Sequence, residues 1–425
     1  MTSFVDAISG KKVLVFGLGR QGGGAGDASW LKDHGAVVRV SDKDLELCPE
    51  GQTEEQIDWA EIVIKNPAVP DDLVLINRAK SRRIPVYTSV ALYVKYAKVK
   101  TIGVTGTRGK STTVALITAM LEANHPRRVI SGGNIAGTSC LSLFDQEEGK
   151  EYVVLELSSF QLHNFHDLRV SPSIALITNL YPDHLNRYLS MELYRQDKEA
   201  ICAYQQKEDI CLYNSDNEGA IQIAAKSPGE KIPFTSSDCQ DWETNLPGEH
   251  NRANIAGMAA LSKLLKLDEK LARKIAAEFS GLPFRLEGVG TIGGVKYVND
   301  TTATTPTAAI KALEAITTPI IWITGGDTKQ LPYTELLKEV DNNVRIKKIV
   351  ILGGKNIPDY IAELKQIAGN KIVGTVTTMT EAVSLARSVS SPGDTVLLSP
   401  GFTSFDLFKN EFDRGRQFNE AVRVI

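Results

Sequence analysis

Residues 101–113, TIGVTGTRGKSTT, are the stretch that decides the fold and the chemistry of this chain. Ile102 and Val104 belong to an apolar, β-branched run that predicts a buried strand, residues 106–109 interrupt it, and a helical pattern follows from Lys110. A strand, a glycine turn, a Lys-Ser pair and a helix hold a nucleotide triphosphate, because backbone N–H groups and the helix N-terminus surround the phosphates. The lysine reaches the outer phosphates and the serine hydroxyl binds Mg²⁺. The stretch therefore predicts an ATP site.

The glycine turn is shorter than the GxxxxGK[ST] pattern, because Val104 stands where that pattern has glycine and only GTRGKST remains. A glycine turn without a ligand is the alternative, and the Lys-Ser pair directly after the turn favours the nucleotide. The residues predicted to surround it are Gly106, Thr107, Arg108, Gly109, Lys110, Ser111 and Thr112.

Length and composition limit the class of protein. The chain has 425 residues, which favours two or three domains. Its net charge of −3 gives no electrostatic case for binding nucleic acid or an anionic membrane. The 5 cysteines are scattered without metal-site spacing, which indicates a reducing compartment. With no basic-then-apolar leader and no long apolar run, we expect a cytoplasmic protein, and a monomer.

The N-terminal part carries a second glycine turn. Strand KVLVFG (12–17) leads into GLGRQG (17–22), and the next predicted strand ends at Asp42. This is the G-x-G-x-x-G arrangement of dinucleotide sites, which many Rossmann-like domains use for other diphosphates. A nicotinamide-dependent dehydrogenase is therefore one alternative, and it leaves GTRGKST unexplained. The α/β alternation predicts a small parallel sheet here.

Polar residues follow the predicted strands of the central part. Asn134, Glu156 and His184 each come at or after the end of a strand, the edge at which open parallel sheets bind ligands. A buried Glu156 needs a cation, and Mg²⁺ fits because it prefers hard oxygen ligands. By contrast, Lys198 lies among charges in the helical segment 191–204, and this pattern alone favours a solvated lysine. Asn254, early in a long helix, would read a base or cap the helix, and capping is the simpler interpretation.

A third α/β region begins near Leu282, with the segment PFRLEGVG. Its predicted strand ends supply Asp, Lys, Ser and Thr side chains that suit a further ligand.

With these segments in place, the chain resembles the Mur ligases of peptidoglycan synthesis. The shared segments are GTRGKST, GGNIAG, LELSSFQL, YPDHLNRY with a YRxxK lysine behind it, HNRAN, PFRLE, VND, GGDTK and LLSPGFTSFDLFKN. The resemblance implies three α/β domains: an N-terminal Rossmann-like domain for the UDP moiety (1–97), a central P-loop ATPase domain with a mostly parallel sheet (98–281), and a C-terminal Rossmann-like domain for the incoming amino acid (282–425).

The resemblance also implies a role for each matching residue. Lys110 would hold the terminal phosphates, Ser111 and Glu156 one Mg²⁺, and His184 and Lys198 a second. The lysine of YRxxK is carbamylated in the family, which reverses the solvated interpretation of Lys198. The remaining positions are Asn134 near the reacting carboxylate; Asn251, Asn254, Arg285 and Asp300 at the nucleotide; Arg20, Gln21, Asp42 and Lys43 at UDP; and Thr304, Lys329 and Ser404 at glutamate.

The implied reaction is ATP-dependent addition of D-glutamate to UDP-N-acetylmuramoyl-L-alanine through an acyl phosphate. His184 is a candidate base, and Lys110 and Arg285 would offset negative charge. Three positions depart from the family pattern: Thr302 replaces a lysine, Arg108 an asparagine, and Glu411 an aromatic residue. L-glutamate or another amino acid therefore stays an alternative, as does a non-catalytic nucleotide switch.

Overall fold

Three sheets organise the computed structural model, which describes residues 4–19, 22–135, 138–183, 188–246, 248–327, 331–354 and 356–425. The first two sheets lie in one compact unit, Met1–Phe279, and the third lies in a second unit, Ser280–Ile425. Within these ranges no helix has the length and apolar character needed to cross a membrane.

The N-terminal sheet is fully parallel and has the order β2-β1-β3-β4. Its strands are β1 (Lys12–Phe16), β2 (Val37–Ser41), β3 (Ile62–Lys65) and β4 (Val86–Tyr87). The helices around it are α1 (Phe4–Ile8), α2 (Gly23–Asp33), α3 (Glu54–Trp59), α4 (Val74–Ser81) and α5 (Ser89–Tyr96). Because β1 is the first strand and lies between β2 and β3, the glycine turn after it opens at the switch point of the sheet, where such folds bind ligands.

The central sheet is also fully parallel, in the order β10-β9-β8-β5-β7-β6. Its strands are β5 (Lys100–Thr105), β6 (Val129–Gly133), β7 (Tyr152–Glu156), β8 (Ile174–Ile177), β9 (Ile210–Asn214) and β10 (Glu230–Phe234). Its helices are α6 (Lys110–Asn124), α7 (Ser159–His163), α8 (Phe165–Leu168), α9 (Met191–Glu199), α10 (Glu218–Ala224), α11 (Glu249–Leu264) and α12 (Glu269–Glu278). Apolar clusters cover both faces, so the strand ends are the polar part of this layer.

The third sheet has the order β11-β12-β16-β13-β14-β15, with β11 antiparallel to β12 and the other pairs parallel. Its strands are β11 (Glu287–Ile292), β12 (Val295–Asn299), β13 (Ile320–Gly325), β14 (Ile346–Leu352), β15 (Ile372–Val376) and β16 (Thr395–Leu398). Its helices are α13 (Pro306–Ala315), α14 (Thr334–Asn342), α15 (Pro358–Ala368), α16 (Met379–Ser388) and α17 (Glu411–Val424). The predicted α/β class with mostly parallel sheets is confirmed.

Candidate functional site

The loop between β5 and α6 is held as a preformed turn. The Thr107 amide donates to the Asn179 carbonyl (3.0 Å), and the Arg108 amide donates to Asn179 Oδ1 (2.8 Å). Thr178 Oγ1 donates to the Arg108 carbonyl at 2.7 Å. Lys110 Nζ bends back over the loop and donates to the Gly106 carbonyl at 2.9 Å. The turn that the sequence predicts for phosphates is therefore present at the N-terminus of α6, with its lysine at the loop.

The far side of the loop is supported by Asn254 on α11. Asn254 is buried; its Oδ1 accepts from Thr113 Oγ1 (3.3 Å), and its Nδ2 donates to Asn251 Oδ1 (3.1 Å). The N-cap of α11 is Gly248, so Asn254 does not cap this helix as the simpler interpretation had it. Its side chain instead ties α11 to α6 behind the phosphate loop. Whether it also lies near adenine stays a prediction.

Gly109→Ala is expected to raise the KM for ATP about tenfold or more. Gly109 has φ 82°, and a β-carbon there would overlap Asn254 Oδ1. Left-handed backbone costs a non-glycine residue about 1–2 kcal/mol, and the overlap adds to that cost by displacing the loop. Steady-state kinetics with ATP varied test this. Gly149→Ala is the matched control, since Gly149 has φ 71° with nothing within 4 Å of an added β-carbon. An equal change in both variants would contradict the role of the overlap.

Glu156 is the buried carboxylate at the end of β7, with an exposed fraction of only 5%. Asn134 Nδ2 donates to Glu156 Oε1 at 3.1 Å, and the Asn134 amide donates to the Glu156 carbonyl at 2.8 Å. Glu156 has no ion-pair partner among the described residues. No lysine, arginine or histidine in those ranges therefore offsets the charge of its carboxylate. A buried carboxylate of this kind suits Mg²⁺, which prefers hard oxygen ligands.

Lys198 lies inside the molecule, with an exposed fraction of 1%. Its Nζ donates to the Gly106 carbonyl (3.0 Å) and to Thr105 Oγ1 (3.3 Å), and it lies 5.0 Å from the centre of the Tyr194 ring. Burial, together with the nearby Lys110 charge, holds the pKa of Lys198 well below its usual range. The solvated lysine that the helix pattern alone favoured is wrong, because the side chain reaches under the phosphate loop.

A cavity of about 410 Å³ opens between the N-terminal and central sheets. Its lining includes Leu18, Gly24, Lys65, Asn66, Asn134 and Phe160. Asp42, at the end of β2, is buried and accepts backbone N–H groups of Gly19 (2.9 Å) and Asp44 (2.8 Å), so it fixes the first glycine turn beside this cavity. Lys43 is exposed next to it. Asn134 connects the cavity wall to Glu156.

In the second unit, Asp300 follows β12 and is buried. It accepts hydrogen bonds from Ser399 Oγ (2.8 Å) and the Leu286 amide (3.2 Å). Burial raises the pKa of Asp300 to about 6, while the Arg285 charge opposes that rise. Arg285 itself is exposed. The two residues therefore lie close together in the second unit, and their predicted place at the nucleotide stays a prediction.

Arg414 on α17 is a buried cation that the sequence analysis missed. Its exposed fraction is 0%. Its guanidinium donates to the carbonyls of Thr301 (2.9 Å), Phe402 (3.1 Å) and Thr403 (3.2 Å), and to Thr301 Oγ1 (3.0 Å). These bonds fix the two loops that carry Thr304 and Ser404. Within the described residues, the buried Ser404 hydroxyl has no hydrogen-bond partner, so it can serve a ligand.

Two family models match the chain: the Mur ligase middle domain at residues 104–255, and the Mur ligase, glutamate ligase domain at residues 284–402. Curated relatives match nearly end to end. The protein named UDP-N-acetylmuramoylalanine–D-glutamate ligase in Christiangramia forsetii is 35% identical over 97% of this chain and 99% of its own, and the protein of that name in Roseiflexus sp. is 33% identical over 98% and 99%. The Bacillus subtilis relative of the same name is 32% identical over 97% of each chain.

The chain belongs to the Mur ligase family. Solved Mur ligases share its fold: UDP-N-acetylmuramate-alanine ligase MurC of Thermotoga maritima aligns over 97% of this chain and 99% of its own with a TM-score of 0.60 at 19% identity. MurF ligase of the same organism, solved in complex with ADP, aligns over 99% and 97% with a TM-score of 0.56 at 15% identity. The predicted family is confirmed, and the alternative of a nicotinamide-dependent dehydrogenase is no longer supported.

Four positions that the Mur ligase resemblance selected lie outside the described residues: Arg20, Gln21, His184 and Lys329. Their roles stay predictions. Within the described ranges, no group of three or more His, Cys, Asp and Glu is arranged to hold a metal ion. The Mg²⁺ ligands expected from the sequence, Ser111, Glu156, His184 and Lys198, stay a prediction.

Two of the departures from the Mur ligase pattern, Thr302 and Arg108, have side-chain contacts in the structure. Thr302 Oγ1 donates to the Phe284 carbonyl at 2.9 Å, so it fixes the loop at the position where the resemblance leads us to expect a lysine. The carbonyl of Glu411 accepts from Thr301 Oγ1 at 2.9 Å, at the start of α17. Arg108 is exposed, and its NH2 atom lies 3.7 Å from Asp183 Oδ2. The side chains of Thr302 and Arg108 therefore have local contacts in the structure, whereas Glu411 contributes only its backbone carbonyl.

A line of charged groups joins the two sheets of the first unit in this Mur ligase. His163 Nε2 lies 3.1 Å from Asp71 Oδ2, and His163 Nδ1 lies 2.8 Å from Asp197 Oδ1. Asp71 also pairs with Lys65 (3.1 Å), and Asp197 Oδ2 accepts from Tyr188 OH (2.8 Å). We call these five residues the His163 network. Asp197 and Asp71 raise the pKa of His163 to about 10 despite partial burial.

The stability of the protein relative to its His163→Gln variant is expected to fall as pH rises from about 6.5 towards about 10. The folded-state pKa of His163 lies above its ordinary value of 6.5, so the folded protein keeps a proton that the unfolded chain has released. The stabilisation is therefore complete below pH 6.5 and lost through the folded-state pKa. Solvent screens part of it, because the side chain is 45% exposed. Urea unfolding across this pH range measures the difference, and parallel stability curves would contradict the prediction.

Proposed function

We propose that this chain is an ATP-dependent ligase that joins D-glutamate to UDP-N-acetylmuramoyl-L-alanine in peptidoglycan synthesis. The observation that carries the proposal is the near end-to-end match to relatives that bear this activity in their name. The phosphate loop with Lys110, and the buried Lys198 directly beneath it, support the ATP-dependent part.

The reaction needs an activated carboxylate, because joining a carboxylate to an amine in water is unfavourable. The γ-phosphate of ATP passes to the alanyl carboxylate and gives an acyl phosphate; the glutamate amine then attacks, and phosphate leaves. Two anions approach each other in the first step. The loop amides and Lys110 hold the phosphates and offset their charge, so the protein contributes mainly positioning and electrostatics. Arg285 and Asp300 are proposed to complete the nucleotide site.

Mg²⁺ fits the donor set of Ser111 and Glu156, where it would neutralise phosphate charge when bound. A second Mg²⁺ is proposed for Lys198 with His184. Burial and the nearby Lys110 charge lower the pKa of Lys198, which favours the neutral amine, the form that attacks CO₂. The nitrogen of the neutral amine bonds to the CO₂ carbon and releases one proton, so an uncharged group next to Lys110 becomes a carbamate anion with oxygen donors. The modification therefore places an anion beside the Lys110 cation and creates a metal ligand.

Substrate positions follow from the cavity and from the third sheet. The UDP-sugar substrate is proposed to occupy the cavity of the first unit, with Arg20, Gln21, Asp42 and Lys43 at UDP and Asn134 at the reacting carboxylate. Thr304, Lys329 and Ser404 are proposed to hold glutamate; the unpaired buried hydroxyl of Ser404 supports this assignment. The division into domains 1–97, 98–281 and 282–425, a monomeric state and a cytoplasmic location are part of the same proposal.

The test offers the purified protein ATP, Mg²⁺ and UDP-N-acetylmuramoyl-L-alanine, with D-glutamate, L-glutamate and other amino acids in separate reactions. Phosphate release and product mass are followed together, and we expect a joined product with D-glutamate. Phosphate release that needs no amino acid would contradict ligation and favour a nucleotide switch. The departures at Thr302 and Glu411 make L-glutamate the second candidate, and product with L-glutamate alone would establish it.

A further inference from the structure

The His163 network spans two functional regions of the first unit. At one end, Lys65 is the last residue of β3 and lines the substrate cavity. Only 1% of its side-chain surface is exposed. At the other end, Asp197 directly precedes Lys198 on α9. The connection between them passes through one residue, His163, at the end of α7. The network therefore reaches from the wall of the cavity to the helix that carries the buried lysine.

His163 carries a positive charge in this arrangement for a geometric reason. Each ring nitrogen lies within 3.1 Å of a carboxylate oxygen, and a carboxylate can only accept a hydrogen bond. Both nitrogens must therefore bear a proton. The imidazolium is shared between Asp71 and Asp197, so any change in the pairing of one carboxylate alters the pairing of the other.

We propose that His163 is a positioning residue that couples occupancy of the substrate cavity to α9 and Lys198. The inference rests on the function proposed above. An anionic ligand in the cavity attracts Lys65 and weakens its pairing with Asp71, which then relies more on His163 and on Lys80, whose Nζ lies 3.1 Å from Asp71 Oδ1. The adjustment reaches Asp197 and the last turn of α9, which carries Lys198. Binding of the UDP-sugar substrate and of the magnesium nucleotide therefore favour each other.

Calorimetric titration of the full chain measures this coupling. The Kd of UDP-N-acetylmuramoyl-L-alanine is determined with and without saturating Mg²⁺ and a non-hydrolysable ATP analogue. We expect the nucleotide to tighten substrate binding about fivefold or more in the unaltered protein. In His163→Gln the two Kd values should become equal, because glutamine cannot carry the shared charge.

Asp145→Asn is the matched control. Asp145 pairs with His34 at 3.1 Å and accepts from Trp30 Nε1 at 2.9 Å within the same unit, and among the described residues it forms no hydrogen bond or ion pair with the His163 network or with α9. It should keep the full coupling. If His163→Gln fails to fold, Asp71→Asn replaces it, since that change breaks the network from the other side.

Three results would overturn the inference: equal Kd values in the unaltered protein, full coupling in His163→Gln or Asp71→Asn, or loss of coupling in Asp145→Asn. Failure of the proposed function has a different signature, since it would leave no joined product in the ligation assay whatever the binding titrations give.

Discussion

Lys198→Ala is expected to lower kcat by about 10²–10³-fold, a loss comparable to removal of a preorganised electrostatic group. The buried Nζ contacts the Gly106 carbonyl and Thr105, and its modified form is proposed to supply oxygen donors to a metal. Alanine removes both the contacts and the donors and leaves a space beneath the loop. Acetate or formate should enter that space and partly restore turnover, because their carboxylates supply equivalent oxygens. Steady-state kinetics with increasing carboxylate concentration measure the recovery.

Lys198→Met is the control for that experiment. Methionine fills much of the same volume, so a small carboxylate finds no space, and we expect an equal loss of activity without recovery. Recovery in both variants would show that carboxylates act elsewhere. Unchanged turnover in Lys198→Ala would remove the lysine from the mechanism altogether.

The burial of Lys198 shows what a sequence pattern can predict and what it cannot. The segment MELYRQDKE is mostly charged, and among its residues the structure buries Tyr194, Lys198 and Glu199. Tyr194 and Lys198 are four residues apart and therefore share one face of the helix, which is a signal that the sequence contained. Periodicity cannot show, however, that this face meets the phosphate loop; that depends on long-range packing between α9 and β5.

The same limit separates the strands that were predicted from the sequence from those that were not. The central strands of each sheet are apolar runs and were predictable, since both of their faces are buried. Strands β10, β11 and β15 were not predicted; they are edge strands with partly exposed residues and interruptions such as Pro233 and Gly374. Edge strands pair on one side only, so they need no continuous apolar run.

The positions of the phosphate loop and of Glu156 were predictable from the local sequence, because glycine turns and strand ends determine where these groups lie. Arg414 and His163 were not. Arg414 lies in EFDRGRQF among other charges, and its neighbour Arg416 is exposed. Only the loops that pack on α17 decide which arginine is buried.

Arg414→Met is expected to lower the free energy of unfolding of the second unit by about 3 kcal/mol and to raise the KM for glutamate about tenfold. The change leaves the carbonyls of Thr301, Phe402 and Thr403 without their donor, and each unpaired buried group costs about 1–3 kcal/mol. Removal of a buried charge offsets part of that cost; burial lowers the pKa of Arg414 to about 9. Scanning calorimetry and glutamate kinetics measure the two effects.

The control for this prediction is Arg416→Met, two residues further along α17, where the side chain is 56% exposed and lies 3.6 Å from Asp413. It should change the free energy of unfolding by less than about 0.5 kcal/mol, as expected for a surface position, and leave glutamate kinetics unaltered. Arg414→Lys separates charge from geometry, because lysine keeps the charge but cannot reach all three carbonyls in a plane. If the lysine variant behaves like the unaltered protein, the fork of hydrogen bonds is not what holds the two loops. If instead it loses glutamate binding while remaining folded, the loops that carry Thr304 and Ser404 depend on the planar guanidinium beneath them.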